Sequence, residues 1–318
     1  MRRLRASSRR AADSYPCMRW PGRAFALLAA CLVTLPADAT AQTLDRTCPR
    51  ARITRITARS VVTYLSGSRL RGRAFASHGE WCGSGLVAAL FGDLGLAPLA
   101  SEDFFHPVAS EGGEAAARNV IGVLPGSDPE LAREHIVVGA HHDHLGTRSG
   151  AVYPGADDNA SGVAALLLTA RALAAREPLP RSVLFVTFAG EETGFRGSRA
   201  FLGSPPVPLD DVVAMVNLDM VGRLRSSGLI LEGWDHLPSG FRRALRRVRL
   251  QPEGTPVANS DGALFAGAGV PTVAFFTGYH ADYHRPTDTL DRLDLRGIET
   301  IAELVVRLVT EWGESDSR

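Results

Sequence analysis

Apolar residues recur along the chain in two patterns, which predict alternating strands and helices. Short continuous apolar runs predict buried strands at 119–124, 136–140, 183–189, 212–219, 229–231 and 272–276. Apolar residues at helical spacing predict helices at about 84–94, 161–175 and 295–312. This alternation predicts an α/β fold, a three-layer α/β/α sandwich around a mixed, largely parallel sheet.

The segments before the first predicted strand carry weaker signals. Residues 53–96 have a helical pattern that is interrupted by a turn at 70–73 and closed by Gly95. Residues 101–117, rich in Glu, Gly and Ala, predict a loop.

The first 41 residues have the pattern of an export signal. Two arginines precede an apolar run at 24–35, and an Ala-Thr-Ala cleavage site ends at Ala41. The apolar run is too short to span a bilayer, so no stable membrane span is expected. We therefore predict a periplasmic or secreted mature chain with a single domain at 42–318. Lipoprotein anchoring through Cys31 is the less favoured alternative.

Charge gives no reason to expect a nucleic-acid partner. The 318 residues carry a formal charge of +1, but the first 41 hold seven of the 35 arginines and two of the 34 acids, so the mature chain is close to −4. The arginine-rich segment 241–250 places Phe241, Leu245 and Val248 on one face, which indicates an ordinary surface helix.

Removal of the export signal leaves two cysteines, Cys48 and Cys82. An even pair in an exported chain is most simply one disulfide. Metal ligation by thiolates is the alternative, but the chain lacks a C-x-x-C spacing that would support it.

Five short stretches carry the candidate chemistry: GAHHDHLG (139–146), PGADDNASG (154–162), FAGEETGFRGS (188–198), VNLDM (216–220) and DYHRPTDTL (282–290). Imidazole and carboxylate together suit zinc, and a carboxylate can bridge two ions. Several of these residues follow predicted strands, where open α/β sheets bind ligands, and Asp158 precedes a helix. The candidate metal ligands are His141, Asp158, Glu192, Asp219 and His284. Two metals held by such ligands make a hydrolytic centre.

Each stretch taken alone also has an ordinary structural interpretation. His142 and His144 are more simply surface or packing residues, and the Asp157-Asp158 pair is consistent with a helix cap. The glycosylation sequon at Asn159 opens a helix beside an acidic pair, so we discount it. Trp234 and Phe265 could each line a specificity pocket or pack in the core, and the sequence does not separate the two roles.

The order of the stretches resembles the co-catalytic dizinc aminopeptidases of clan MH, of the bacterial leucyl aminopeptidase and aminopeptidase Y type. The resemblance is strong over 119–290 and weaker over 60–100, where it rests on LRGR and the helix after it. It implies the zinc-exopeptidase, phosphorylase/hydrolase-like fold and two Zn²⁺ ions per chain. No protease-associated domain fits between Leu96 and Asn119.

The resemblance also implies roles for individual residues. His141 and Asp219 would bind one zinc, Glu192 and His284 the other, and Asp158 would bridge them. Glu191 would be the general base and Asp143 would support His141, and a non-proline cis peptide is expected at Asp158–Asn159.

Two departures from the family pattern lie at the rim of this site. The family's Ser-Asp-His is here Ser260-Asp261-Gly262, and no tyrosine precedes it. Tyr279, His280 or Tyr283 are the candidates to stabilise the oxyanion in its place.

The resulting hypothesis is an exported metallo-aminopeptidase that acts on peptides with a free N-terminus. A single-zinc glutaminyl cyclase on the same fold and a non-catalytic receptor-like binding module remain as alternatives. An amidohydrolase or carboxypeptidase would need a cationic pocket, to which no arginine can be assigned. Oligomeric state is left open.

Overall fold

The computed structural model describes residues 47–49, 53–99, 102–110, 112–251 and 259–315. The predicted export signal at 1–41 lies outside these residues. The described residues contain ten strands: β1 (Ala97–Pro98), β2 (Phe105–Ala109), β3 (Ala115–Leu124), β4 (His135–His141), β5 (Thr147–Arg148), β6 (Ala151–Val152), β7 (Ser182–Phe188), β8 (Val212–Leu218), β9 (Ile230–Glu232) and β10 (Thr272–Phe276).

Eight of these strands form one mixed sheet in the order β1-β3-β7-β4-β8-β10-β9, with β2 also paired to β3. The four central strands β7, β4, β8 and β10 are parallel, and the outer pairs are antiparallel. Strands β5 and β6 form a separate hairpin. The parallel part of the sheet therefore aligns the carboxyl ends of four neighbouring strands along one edge.

Helices cover both faces of this sheet. The described helices are α1 (Ala58–Leu65), α2 (His78–Asp93), α3 (Gly162–Ala174), α4 (Arg196–Gly203), α5 (Leu224–Ser227), α6 (Ser239–Ala244), α7 (Asp261–Gly267) and α8 (Leu295–Gly313). Successive residues of β4 point to opposite faces, so Val138 joins the core under α1, α2, α3 and α8. Val137 joins the second core, where Phe201 of α4 and Phe265 of α7 pack. The predicted three-layer α/β/α sandwich is confirmed.

Two predictions differ from the structure by several residues. Helix α2 begins at His78, six residues before its predicted start, because the Ser77 hydroxyl accepts a hydrogen bond from the Glu80 amide and caps the helix. The predicted loop at 101–117 contains β2 and the first residues of β3. Among the described strands, β2 pairs with β3 alone, and Val108 is its one fully buried residue, which explains its weak apolar signal.

Several smaller predictions can be checked against the fold. Cys48 and Cys82 form the predicted disulfide, which ties the segment 47–49 to α2. In the arginine-rich segment, Phe241 and Leu245 are buried and the arginines face solvent, as expected, but α6 ends at Ala244 and Val248 has an extended backbone beyond it. Phe265 lies in the core rather than in a pocket. None of the helices in the described part of the chain is long and apolar enough to cross a membrane.

Candidate metal centre

The structure brings all the sequence-predicted site residues to the carboxyl edge of the parallel strands. His141 is the last residue of β4, Asp219 follows β8, and the Glu191-Glu192 pair lies in the turn after β7. Asp158 lies just before α3, and His284 lies in the loop after β10. Residues that are up to 143 positions apart in sequence therefore face one another.

Asp158 lies between two histidines, and each of its oxygens faces a different one. His141 Nε2 is 3.3 Å from Asp158 Oδ1 and 3.4 Å from Asp219 Oδ1. His284 Nε2 is 3.2 Å from Asp158 Oδ2 and 3.2 Å from Glu192 Oε2. The first ligand group is thus His141, Asp158 and Asp219, and the second is Asp158, Glu192 and His284. The two groups share one carboxylate.

The chemistry of these donors fits divalent zinc. Imidazole nitrogen and carboxylate oxygen are the ligands found at catalytic zinc sites, and the ligand atoms of the first group all lie within 4.8 Å of one another. His144, Asp158 and Glu192 also satisfy that distance. Carboxylates crowded this closely repel one another unless cations or protons lie between them.

In the protein alone, protons compensate for this crowding. Burial opposes ionisation of Asp158, but His144, His141 and His284 hold its pKa well below the ordinary value. Burial opposes protonation of His284, but the hydrogen bonds that its ring donates to Asp158 and Glu192 outweigh this and raise its pKa to about 9. The pKa of His141 is also raised well above its ordinary value, against the opposing effect of burial. Ligand histidines must be neutral, so metal binding at these positions displaces protons.

Glu191 differs from its neighbour in its electrostatic environment. Burial, together with the charges of Asp219, Asp261 and Asp143, raises the pKa of Glu191 to about 10, although His141 opposes this shift. Such a carboxylate is basic enough to accept a proton once nearby cations favour its ionised form. The backbone here turns sharply at Gly190, where φ is +74° and an added Cβ would lie 2.6 Å from the Phe75 ring.

Asp143 fixes the backbone of this glutamate pair. Its carboxylate accepts hydrogen bonds from the amides of Glu191 at 3.1 Å and Glu192 at 3.4 Å. The His141 Nδ1–H donates to the main-chain carbonyl of Asp143 at 3.3 Å, whereas the Asp143 carboxylate is 3.7 Å from Nδ1. Asp143 thus contacts both His141 and the glutamate turn.

The turn that carries Asp158 is held by buried polar side chains. The Asp158–Asn159 peptide is cis, as the resemblance implied. The Asp288 carboxylate accepts hydrogen bonds from the amides of Asp157 and Asp158. The Asn159 amide donates to the Leu218 carbonyl, and its oxygen accepts from the Gly162 and Met220 amides. Asn159 is fully buried, which excludes it as a glycosylation site in the folded protein.

Sequence reasoning missed a buried cation next to the ligands, Arg73. Its guanidinium donates to the carbonyls of His142, Pro154 and Gly155 at 2.8–3.0 Å and to that of Leu65. Arg73 therefore joins the loop after His141 to the segment before Asp158. It belongs to the LRGR stretch that carried the weaker part of the resemblance, but its partners are main-chain groups, which leave no pattern in the sequence.

Of the two alternatives predicted for His142 and His144, surface or packing residue, the structure shows packing. Both are at most 1% exposed. His142 Nε2 is 2.8 Å from Oε1 of Glu80 in α2, and His144 Nδ1 is 2.8 Å from Glu192 Oε1. Each ring is thus anchored by a carboxylate, which a burial pattern alone does not reveal.

The rim of the site leaves no room for a side chain at Gly262. A Cβ at that position would lie 2.8 Å from Cβ of Asn217, so any side chain would require the backbone to move. Ser260 caps α7, and the buried Asp261 accepts a 2.6 Å hydrogen bond from Ser198. Burial raises the pKa of Asp261 to about 7.

Aromatic side chains form the opposite rim. The Tyr283 ring stacks on the His284 ring with 3.8 Å between centroids, and Tyr279, 63% exposed, packs against Tyr283. His280 Nε2 instead contacts Asp157 Oδ2 at 3.0 Å. Of the three candidate oxyanion donors, His280 is therefore engaged by a carboxylate.

An α/β/α sandwich with candidate histidine and carboxylate ligands at the strand ends is typical of metal-dependent hydrolases. Residues 119–309 match the model of peptidase family M28, and the chain belongs to that family. A probable leucine aminopeptidase of Arthroderma otae is 30% identical over 207 residues, which cover 61% of this chain and 57% of the relative. The chain thus spans somewhat more than half the length of the curated relatives it matches.

Solved structures share the fold. A zinc aminopeptidase from Bacillus subtilis superposes with a TM-score of 0.65 at 17% identity, covering 83% of this chain and 97% of that one. A glutaminyl cyclase from Porphyromonas gingivalis gives the same TM-score at 20% identity, covering 81% and 99%. At these identities the likeness establishes the fold, which two different activities use.

Proposed function

We propose that the protein is an exported zinc aminopeptidase with a carboxylate-bridged dizinc centre. The observation that carries this proposal is the position of Asp158, whose two oxygens face His141 and His284 at 3.3 and 3.2 Å. Asp219 would complete the first site and Glu192 the second. Membership of family M28 and the leucine aminopeptidases among its relatives support the same activity.

In this mechanism the protein positions the substrate and moves the proton. When bound, zinc would polarise the scissile carbonyl and make an attacking water more acidic. Glu191 would accept the water proton and transfer it to the leaving amine. The cations beside Glu191 would lower its pKa from the value of about 10 that it has in the protein alone, so that the base is ionised near neutral pH.

The charges around the site favour a substrate with a free amine. Two cations beside the site are already engaged: Arg73 donates to four main-chain carbonyls, and Arg223 lies 3.1 Å from Asp282 and 3.6 Å from Asp157. A carboxypeptidase would need such a cation for the substrate carboxylate. A peptide with a free N-terminus is therefore the substrate class we propose.

A glutaminyl cyclase is the second candidate, because that activity occurs on the same fold. It requires one zinc, whereas the two ligand groups here provide for two. A receptor-like binding module would not need both a complete set of metal ligands and a general base. Here the five candidate ligands and Glu191 are all present and lie together.

The decisive experiment compares wild type with Glu191→Gln on a panel of aminoacyl-nitroanilides, with chelator treatment and zinc add-back. We expect wild type to hold two zinc ions per chain. Glu191→Gln should keep them and lose about 100-fold to 10,000-fold in kcat, because the base is removed while the ligands remain. Glu299→Gln, an exposed position on α8, is the matched control. Retained turnover in Glu191→Gln would refute the role of the base, and cyclisation of N-terminal glutamine with one zinc per chain would favour the cyclase.

We further propose that residues 42–318 form a single mature peptidase domain in the periplasm or outside the cell. The disulfide between Cys48 and Cys82 supports an oxidising compartment. N-terminal sequencing of the protein recovered from the periplasm and the medium tests this. A chain that keeps residues 1–41, or one recovered only from the cytoplasm, would contradict it.

A further inference from the structure

His144 is a fixed, buried imidazole beside the second ligand group. Its amide donates to the Arg73 carbonyl at 3.1 Å, and its ring packs on Gly155, where an added Cβ would lie 2.5 Å from His144 Cγ. Gly155 has φ +59°, so both its conformation and this contact require glycine. The ring is therefore held in place by the two segments that Arg73 joins.

The contacts of Glu192 divide its two oxygens between two histidines. Oε1 is 2.8 Å from His144 Nδ1, while Oε2 is 3.2 Å from His284 Nε2. His144 Nδ1 is 3.7 Å from Asp158 Oδ2, beyond hydrogen-bonding distance. Within the described residues, His144 Nε2 is buried and has no hydrogen-bond partner. Among the residues that the structure describes, the ring's one short polar contact is thus to one oxygen of Glu192.

We propose that His144 is a positioning residue for Glu192: its Nδ1–H donates to Oε1, so that Oε2 alone is presented to the second metal position. This inference rests on the proposed function, since it assumes that Glu192 binds a metal. A carboxylate with one oxygen held by a protein donor binds through the other, and its orientation is set before the ion arrives. The same bond would leave room at the ion for a substrate atom.

Two other roles are open to such a ring, and they differ in what they require of Nδ1. A ring that only filled space would need no specific nitrogen toward Glu192, and leucine could replace it. A ring that bound the metal through Nδ1 would require Glu192 Oε1, now 2.8 Å away, to give up its contact. The three roles therefore predict different responses to substitution.

The asparagine and glutamine variants of His144 test whether the hydrogen-bond donor must lie at the position of Nδ1. The asparagine amide places an N–H near the position of Nδ1, and the longer glutamine amide reaches the position of Nε2. His144→Asn, His144→Gln and His144→Leu are compared with wild type by titrating the metal-free protein with Co²⁺ and with Zn²⁺ against a competing chelator. The Co²⁺ absorption spectrum reports the coordination, and urea unfolding without metal reports the fold.

We expect His144→Leu and His144→Gln to bind one of the two ions about 10-fold to 100-fold more weakly, with a changed Co²⁺ spectrum, while the other ion binds as in wild type. His144→Asn should recover most of this loss. Equal affinity in His144→Leu and wild type would overturn the proposal, as would a loss in His144→Asn as large as that in His144→Leu. Scalar coupling between ¹¹³Cd and ¹⁵N at His144 Nδ1 would overturn it by making the residue a ligand.

The wild-type titration separates this inference from the proposed function. One ion per chain would contradict the dizinc centre. The role of His144 would then be decided by whether that single ion shows the same dependence on the leucine, glutamine and asparagine variants. No peptidase assay enters this test, so an error about the substrate leaves the result for His144 unchanged.

Discussion

Replacing Arg73 with methionine removes the cation that joins the two loops behind the metal centre, and it should destabilise the fold even without metal. The guanidinium is fully buried and makes four hydrogen bonds to main-chain carbonyls. Methionine fills much of the same volume but donates nothing. The substitution therefore leaves carbonyl groups of both loops without their donor.

The expected loss follows from two opposing contributions. Hydrogen bonds with a charged partner stabilise by about 1.5–3 kcal/mol each, which gives a gross loss of about 6–12 kcal/mol. Burial of the cation offsets part of this, since desolvation lowers the pKa of Arg73 to about 10 despite the neighbouring carboxylates. We expect a net loss of about 3–5 kcal/mol, a large part of the stability of an ordinary domain.

Urea unfolding of the metal-free protein, followed by circular dichroism at pH 7, measures this loss. Arg73→Lys keeps the charge but not the planar fork, so it should lie between wild type and Arg73→Met. Arg246→Met, at an exposed position, is the control and should unfold like wild type. A free energy of unfolding for Arg73→Met within about 1 kcal/mol of wild type would refute the view that Arg73 holds the two loops together.

Three further predictions concern the bridge, the disulfide and pH. Asp158→Asn should weaken the binding of both ions in a chelator-competition titration, and full retention of two ions would contradict the bridging role. Replacing Cys48 and Cys82 together with serine should cost about 4 kcal/mol in urea unfolding, because the bridge closes a loop across 34 residues; unchanged midpoints would contradict this. Burial lowers the pKa of His106 below its ordinary value of 6.5, and its Nδ1 accepts a hydrogen bond from Asn119. As the pH falls, the unfolded chain therefore binds this proton before the folded protein does, and the free energy of unfolding should decrease below pH 6.5. His106→Gln should reduce that slope between pH 7 and 5, and an unchanged slope would assign the pH dependence to other groups.

The central strands could be predicted from sequence because both faces of the parallel part of the sheet are covered. Every residue of β7 is buried, which produces a continuous apolar run, and β10 has the predicted bounds. Strand β2 could not be predicted in the same way, because its half-exposed residues give no run and its existence depends on pairing with β3. A strand that is buried on both faces thus produces a continuous apolar run in the sequence, whereas a half-exposed strand does not.

The same distinction holds at the metal centre. The candidate ligands lie in short stretches in which residue type and order indicate the chemistry, and they lie together as predicted. The roles of Asp288 and Arg73 depend on main-chain amides and carbonyls up to 131 positions away, so no side-chain pattern marks them. His144 was interpreted from its neighbour His141, and only its distance to Glu192 shows the specific contact.

Carboxylates that bind main-chain amides explain why acidic residues here outnumber the proposed ligands. Asp143 accepts from the amides of the Glu191-Glu192 pair, and Asp288 accepts from the amides of Asp157 and Asp158. In both cases one carboxylate fixes two successive peptide groups at the point where a functional side chain leaves the backbone. Adjacent acids can then have different roles, since a fixed backbone directs consecutive side chains along different paths. The division between base and ligand at the glutamate pair is therefore a property of the turn as much as of the two residues.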